Sequence, residues 1–206
     1  MFDPKFELLL QFLKENPDRL SSRSKKLHLE SDEGIHALHD FYLKSIDSKL
    51  QLSKPTTIPD DAVSVILQQC CDFSEEQTER IKVEHQLSMS AENLVGALLE
   101  RYIAQVLEPC GWVWCAGDFV RAIDFIKYYE STNTWEAVQV KNRDNTENSS
   151  SSAIRNGTDI KKWFRTYSKP SQKRSSNTNW ENFPEEEFRD QLSEEGFLQF
   201  IRDYLS

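Results

Sequence analysis

Apolar residues recur every three or four positions through the first part of the chain and at alternate positions in its middle, so helices are expected first and strands afterwards. Phe6, Leu9, Leu10 and Leu13 form one stripe. Ile35, Leu38, Phe41 and Tyr42 form a second behind Ser31-Asp32-Glu33, and Ala62, Val63, Ile66, Leu67 and Cys70 a third behind Pro59-Asp60-Asp61. A fourth helix is predicted from Ser90, a capping residue, to Leu107, where Pro109-Cys110-Gly111 must end it. Three strands follow, at Trp112–Cys115, Phe119–Tyr129 and Thr134–Val140, rich in β-branched and aromatic residues. Glu130-Ser131-Thr132-Asn133 supplies turn chemistry for a hairpin between the last two. Beyond a serine-rich run at 145–152, the spacing of Ile160, Trp163, Phe164 and Tyr167 predicts a helix. A basic loop from Lys169 to Asn179 and a closing helix with Phe197, Phe200, Ile201, Tyr204 and Leu205 complete the chain. The expected fold is α/β, a central mixed β-sheet flanked by helices, with a helical N-terminal part at 1–88 and a catalytic core with the C-terminal helix at 89–206.

Composition narrows the function classes. With 38% hydrophobic and 29% charged residues, the chain suits a globular domain and not a disordered one. No stretch approaches a membrane span, and the start at Met1-Phe2-Asp3-Pro4 lacks the features of a secretory signal, so a cytoplasmic location is expected. In that compartment Cys70, Cys71, Cys110 and Cys115, which include no CxxC pair, read as thiols and not as bridges or zinc ligands. His36 and His39 could share a helix face but have no cluster of ligating residues at matching spacing.

The net charge of −9 at first opposes a nucleic-acid partner, yet its distribution is uneven. Between Ala137 and Trp180 lie nine basic and three acidic residues, a local +6 that leaves −15 for the remainder. Such a stripe can neutralise phosphates in an acidic protein, because exposed charges beyond roughly 10 Å are largely screened at 0.1 M salt.

The hairpin concentrates the candidate chemistry. Folding about Thr132 would set Asp124 opposite Val140, flanked by Gln139 and Lys141, and alternation would put those two side chains on one face while Val138 and Val140 take the other. An acid, an amide oxygen and an amine would then meet. Magnesium prefers hard oxygen ligands, neutralises charge developing at phosphorus and acidifies a bound water. An adjacent ammonium can orient that water. The bland alternative is an Asp124–Lys141 pair on an exposed sheet face, which would contribute little.

Gly96 to Glu100 on a helix, Gly111-Trp112 before the first strand, Ile123-Asp124 on the second and Gln139-Val140-Lys141 on the third resemble the core of the PD-(D/E)XK nucleases in its usual order. The run from Gln139 to Thr158 resembles type II restriction endonucleases of the SinI kind. This resemblance implies Asp124, Gln139, Lys141 and Glu100 as the catalytic set, with Asp124 the central metal ligand and Lys141 the catalytic lysine. It implies Asp124, Glu100, Gln139 and Val140 as the ligands of Mg2+. Gln139 stands where the family more often has an acid, as it does in Mrr-type nucleases, and an amide lends oxygen without charge. Ile123 replaces the proline that names the family.

Asn142, Arg143, Asn148, Ser150, Ser151, Arg155, Lys161, Lys162 and Arg165 are the candidate DNA contacts, since arginine can grip guanine bidentately and hydroxyls and amides meet phosphates. The expected activity is Mg-dependent hydrolysis of double-stranded DNA to 5′-phosphates by a homodimer, because a symmetric site needs two active centres. Likeness to the SinI kind further implies a GG(A/T)CC-like target and a cognate DNA methyltransferase. The alternatives are a structure-specific or repair nuclease on the same core, or a non-catalytic DNA-binding domain.

Overall fold

The computed structural model describes all residues except 1, 22, 23, 25, 26, 54, 118 and 145–157. They fall into two compact units, residues 1–49 with 99–206, and residues 50–98.

The first unit holds helix α1 (Pro4–Glu15) and helix α2 (Asp32–Asp47), whose starts are fixed by side-chain caps. The Asp3 carboxylate accepts from the amides of Lys5 and Phe6, and the Ser31 hydroxyl from that of Gly34. The expected stripe of α1 is buried. It meets α2 through Phe6 and Tyr42, ring centroids 5.7 Å apart, while Phe12 meets Trp135 of the sheet at 5.2 Å. His36 and His39 pack against Phe2 and Phe6, which accounts for them as packing residues.

A four-stranded mixed sheet forms the centre of this unit, in the order β1 (Trp112–Trp114), β2 (Phe125–Tyr129), β3 (Thr134–Arg143), β4 (Lys161–Thr166). The first three strands are antiparallel neighbours, and β4 runs parallel to β3. Trp163 of β4 stacks with Trp180 and Phe183 at 5.0 and 5.1 Å, and Tyr102 lies 5.6 Å from Phe197 of the last helix, α5 (Glu194–Leu205). The α/β fold with its mixed sheet is thus as expected.

Four local expectations are corrected. Residues 160–167 do not form a helix, because Lys161–Thr166 pair with β3 from Val138↔Lys161 to Arg143↔Thr166, and that long-range ladder overrides a locally helical spacing. The strand expected from Phe119 begins only at Phe125; Ala122 sits at φ 59°, a left-handed conformation that interrupts extended chain. The hairpin register differs by one residue, with Phe125↔Val138 and Tyr129↔Thr134 as partners. Its four-residue connection has its apex between residues 131 and 132, with Asn133 at φ 54° completing the turn.

The fourth correction concerns helix α4 (Glu75–Leu107), which starts well before Ser90. Its start carries a reciprocal capping box: the Ser74 hydroxyl accepts from the Gln77 amide at 3.3 Å, and the Gln77 side-chain oxygen accepts from the Ser74 amide at 2.8 Å.

In the second unit, α3 (Asp61–Cys71) is capped by Asp60 but buries none of its residues, so the apolar stripe that predicts this helix stays exposed, Ile66 at 59%. The Gln86 side chain of α4 donates to the Thr57 carbonyl oxygen at 2.6 Å, tying that loop to the helix. Among the described residues, no helix is long and apolar enough to cross a membrane.

Candidate active site

Asp124 lies one residue before β2 and is held at three points. Its amide donates to the Val138 carbonyl oxygen at 2.9 Å, its own carbonyl oxygen accepts from the Cys115 amide at 2.9 Å, and its carboxylate accepts from the Val140 amide at 2.7 Å. The acid is therefore wedged between the end of β1 and the middle of β3. Burial raises its pKa above the usual carboxylate value, against the opposing pull of the Lys141 ammonium and the Val140 N–H. A cation at this point would relieve that penalty.

Gln139 is 2% exposed, and its Oε1 atom is buried with no hydrogen-bond partner. An unsatisfied buried acceptor costs about 1–3 kcal/mol. Val138 and Val140 alternate with it, so Gln139 and Lys141 share the opposite face of β3, and Asp124 feels the Lys141 charge. The one-residue register change leaves this grouping intact, because the Asp124 carboxylate itself reaches the Val140 amide. Since that N–H is committed to Asp124, Val140 could face a cation only through its carbonyl oxygen.

Glu100 comes from α4, where its carboxylate accepts a hydrogen bond from the Trp114 indole N–H at 3.2 Å. The buried Cys115 thiol sits beside both acids: burial pushes its pKa up most, and the charges of Asp124 and then Glu100 push it further. Glu100 and Asp124 thus share one neighbourhood at the end of β1. Among the described residues, no three His, Cys, Asp or Glu side chains could hold a metal. A cation here would rest on two carboxylates, the Gln139 amide oxygen and main-chain oxygen, and the orphaned Oε1 of Gln139 is the observation that fits it to such an ion.

The candidate DNA contacts fall into several environments. Asn148, Ser150, Ser151 and Arg155 lie outside the described residues. Lys162 pairs with Gln139 across the β3–β4 ladder, and Arg143 is exposed at the end of β3. Lys161 lies between Glu136 and Glu185, the latter at 2.8 Å. Arg165 donates to the Asn142 side-chain oxygen at 3.0 and 2.9 Å and to Glu194 at 2.5 Å, with its guanidinium 5.0 Å from the Phe197 ring centre. Within this chain, Lys161, Asn142 and Arg165 therefore join β3 and β4 to the segment that follows.

The sequence pattern gives no notice of Trp114 as the partner of Glu100, fourteen positions away, or of Glu194 as the partner of Arg165. Neither pair has a helical or strand spacing. Only the approach of α4 to β1, and of α5 to β4, brings each together.

Residues 2–206 match the family described as SinI restriction endonuclease. The chain is 49% identical over 205 residues to the Type II restriction enzyme Eco47I of Escherichia coli, an alignment covering 98% of this chain and 86% of that protein. It is also 49% identical over 206 residues to the Type II restriction enzyme SinI of Salmonella infantis, with the same coverage.

Proposed function

The chain belongs to the SinI restriction endonuclease family, and from that premise we propose that it hydrolyses both strands of a short specific DNA sequence with Mg2+ at a site made by Asp124, Glu100, Gln139 and Lys141. The observation that carries the metal site is the buried Gln139 Oε1, which no protein donor satisfies and which shares its strand face with Lys141 beside the half-buried Asp124.

When bound, Mg2+ would supply charge neutralisation at the scissile phosphate and acidify a water. Asp124, Glu100 and Gln139 would hold it, and the Val140 N–H fixes the angle of Asp124. Lys141 orients the attacking water and counters the charge that grows on the phosphate oxygens as the P–O bond to the leaving 3′-oxygen breaks, leaving a 5′-phosphate. Two such centres related by a two-fold axis would cut both strands, so the working form is a homodimer. A GG(A/T)CC-like target and a cognate methyltransferase that protects the same sequence belong to the same reading. Arg143 and Lys162, next to the catalytic strand positions, are the described basic residues best placed for the DNA backbone.

Plasmid incubated with the protein and Mg2+ should give discrete fragments with 5′-phosphate ends, and Asp124→Ala and Lys141→Ala should give none. A smear in place of bands would indicate a nuclease without sequence specificity. DNA binding with no Mg2+-dependent cleavage would reduce the chain to a binding domain.

A further inference from the structure

Glu100 is the one member of the candidate site supplied by a helix, so something must bring its carboxylate to Asp124 and Gln139 at a fixed angle. We propose that Trp114 is a positioning residue for metal binding, its indole N–H aiming the Glu100 carboxylate at the cation; this rests on the reading of Glu100 as a metal ligand.

Three observations place the indole in that role. Its N–H donates to Oε2 of Glu100 at 3.2 Å. Trp114 is 8% exposed and is the last residue of β1, and the amide of its neighbour Cys115 donates to the Asp124 carbonyl oxygen, so positioner and the second carboxylate are joined through one backbone hydrogen bond. The ring is itself braced. The Arg101 guanidinium lies 5.1 Å from its centre, and the same group donates to the carbonyl oxygens of Ile46 at 2.7 Å, Ser45 at 2.9 Å and Ser48 at 3.0 Å. Consecutive residues of α4 thus do different work: Glu100 offers oxygen, while Arg101 clamps the end of α2 and steadies the indole. Hydrogen-bonded neighbours of metal ligands typically contribute roughly 10–100-fold to metal affinity by fixing ligand orientation.

The test measures Mn2+ binding by electron paramagnetic resonance for the parent chain, Trp114→Phe, Glu100→Gln and the double variant, with thermal midpoints taken on the same samples. Trp114→Phe should weaken Mn2+ roughly tenfold or more, and should weaken it no further once Glu100 is already Gln. A loss of affinity through general loosening would instead appear equally in both backgrounds, and that result overturns the proposal, as does an unchanged affinity in Trp114→Phe. Should Trp114→Phe fold poorly, a benzothiophene analogue of tryptophan at position 114 keeps the shape and removes only the N–H donor; the same two outcomes apply to it. If Glu100→Gln itself leaves Mn2+ affinity unaltered, or the parent binds no Mn2+, the metal site fails before the question of Trp114 arises.

Discussion

Arg165 offers a sharp choice between a DNA contact and an internal tie. Its side chain is 11% exposed, and that of its partner Glu194 32%. Arg165→Ala removes both hydrogen bonds to Asn142, leaves the Glu194 carboxylate without its cation and strips the Phe197 ring of its cover. Breaking one side of a largely buried pair costs about 3–5 kcal/mol. Glu194 keeps the Trp180 indole N–H at 2.9 Å, which places the expected loss at the lower end of that range, about 3 kcal/mol. In a chain of this size that corresponds to a fall in thermal midpoint of roughly 6–12 °C. Urea unfolding followed by tryptophan fluorescence would read it, and Glu194→Ala should lose a comparable amount, with the double variant well short of the sum. The reasoning is refuted if Arg165→Ala unfolds within about 0.5 kcal/mol of the parent while the dependence of log DNA affinity on log salt concentration loses about one unit of slope, since that pattern belongs to a phosphate contact.

Two further outcomes follow from the packing. Gln139→Glu puts a buried carboxylate beside the half-buried Asp124, so the thermal midpoint measured in a chelator should drop and the rise on adding Mg2+ should exceed that of the parent; a variant indifferent to Mg2+ would count against Oε1 as a ligand. Gly196 lies in the first turn of α5, where a Cβ would come within 2.5 Å of the Tyr102 hydroxyl, so Gly196→Ala should destabilise by about 1–3 kcal/mol. In a Tyr102→Phe background the loss should shrink, because the Ser193 Oγ at 3.1 Å is then the closest atom that still crowds the new Cβ. Chemical denaturation of the four proteins checks it, and an equal loss in both backgrounds would show the clash is not the cause.

The legible parts of the fold were those with local punctuation. Ser31, Asp60 and Ser193 all cap helices whose apolar stripes are regular, and the turn at 130–133 lies between two strands of clear β character. The first half of α4 is not legible because Glu75 to Gln86 carries charge on most sides and shows little stripe, although Ser74 and Gln77 spell its capping box. For β4, Ile160, Trp163, Phe164 and Tyr167 imitate a helix face, and nothing local reveals that β3 has an unfilled edge waiting for a parallel partner. In the candidate site, the sequence order of Glu100, Asp124, Gln139 and Lys141 is readable and resembles that of a nuclease core. The indole on Glu100, the main-chain clamp on Asp124 and the internal pairing of Arg165 arise from tertiary approach, which residue spacing does not encode.

The connection at 130–133 has a further significance as a gauge. Because side chains alternate along β3, a one-residue slip of β3 past β2 would carry Gln139 and Lys141 to the opposite side of the sheet and bring Val138 round to Asp124. A slip of two would return the two side chains to their face but set Ala137 opposite Asp124. An error far from any reacting atom would then silence the enzyme while leaving its strands paired, so the turn that holds this register is tied to the chemistry.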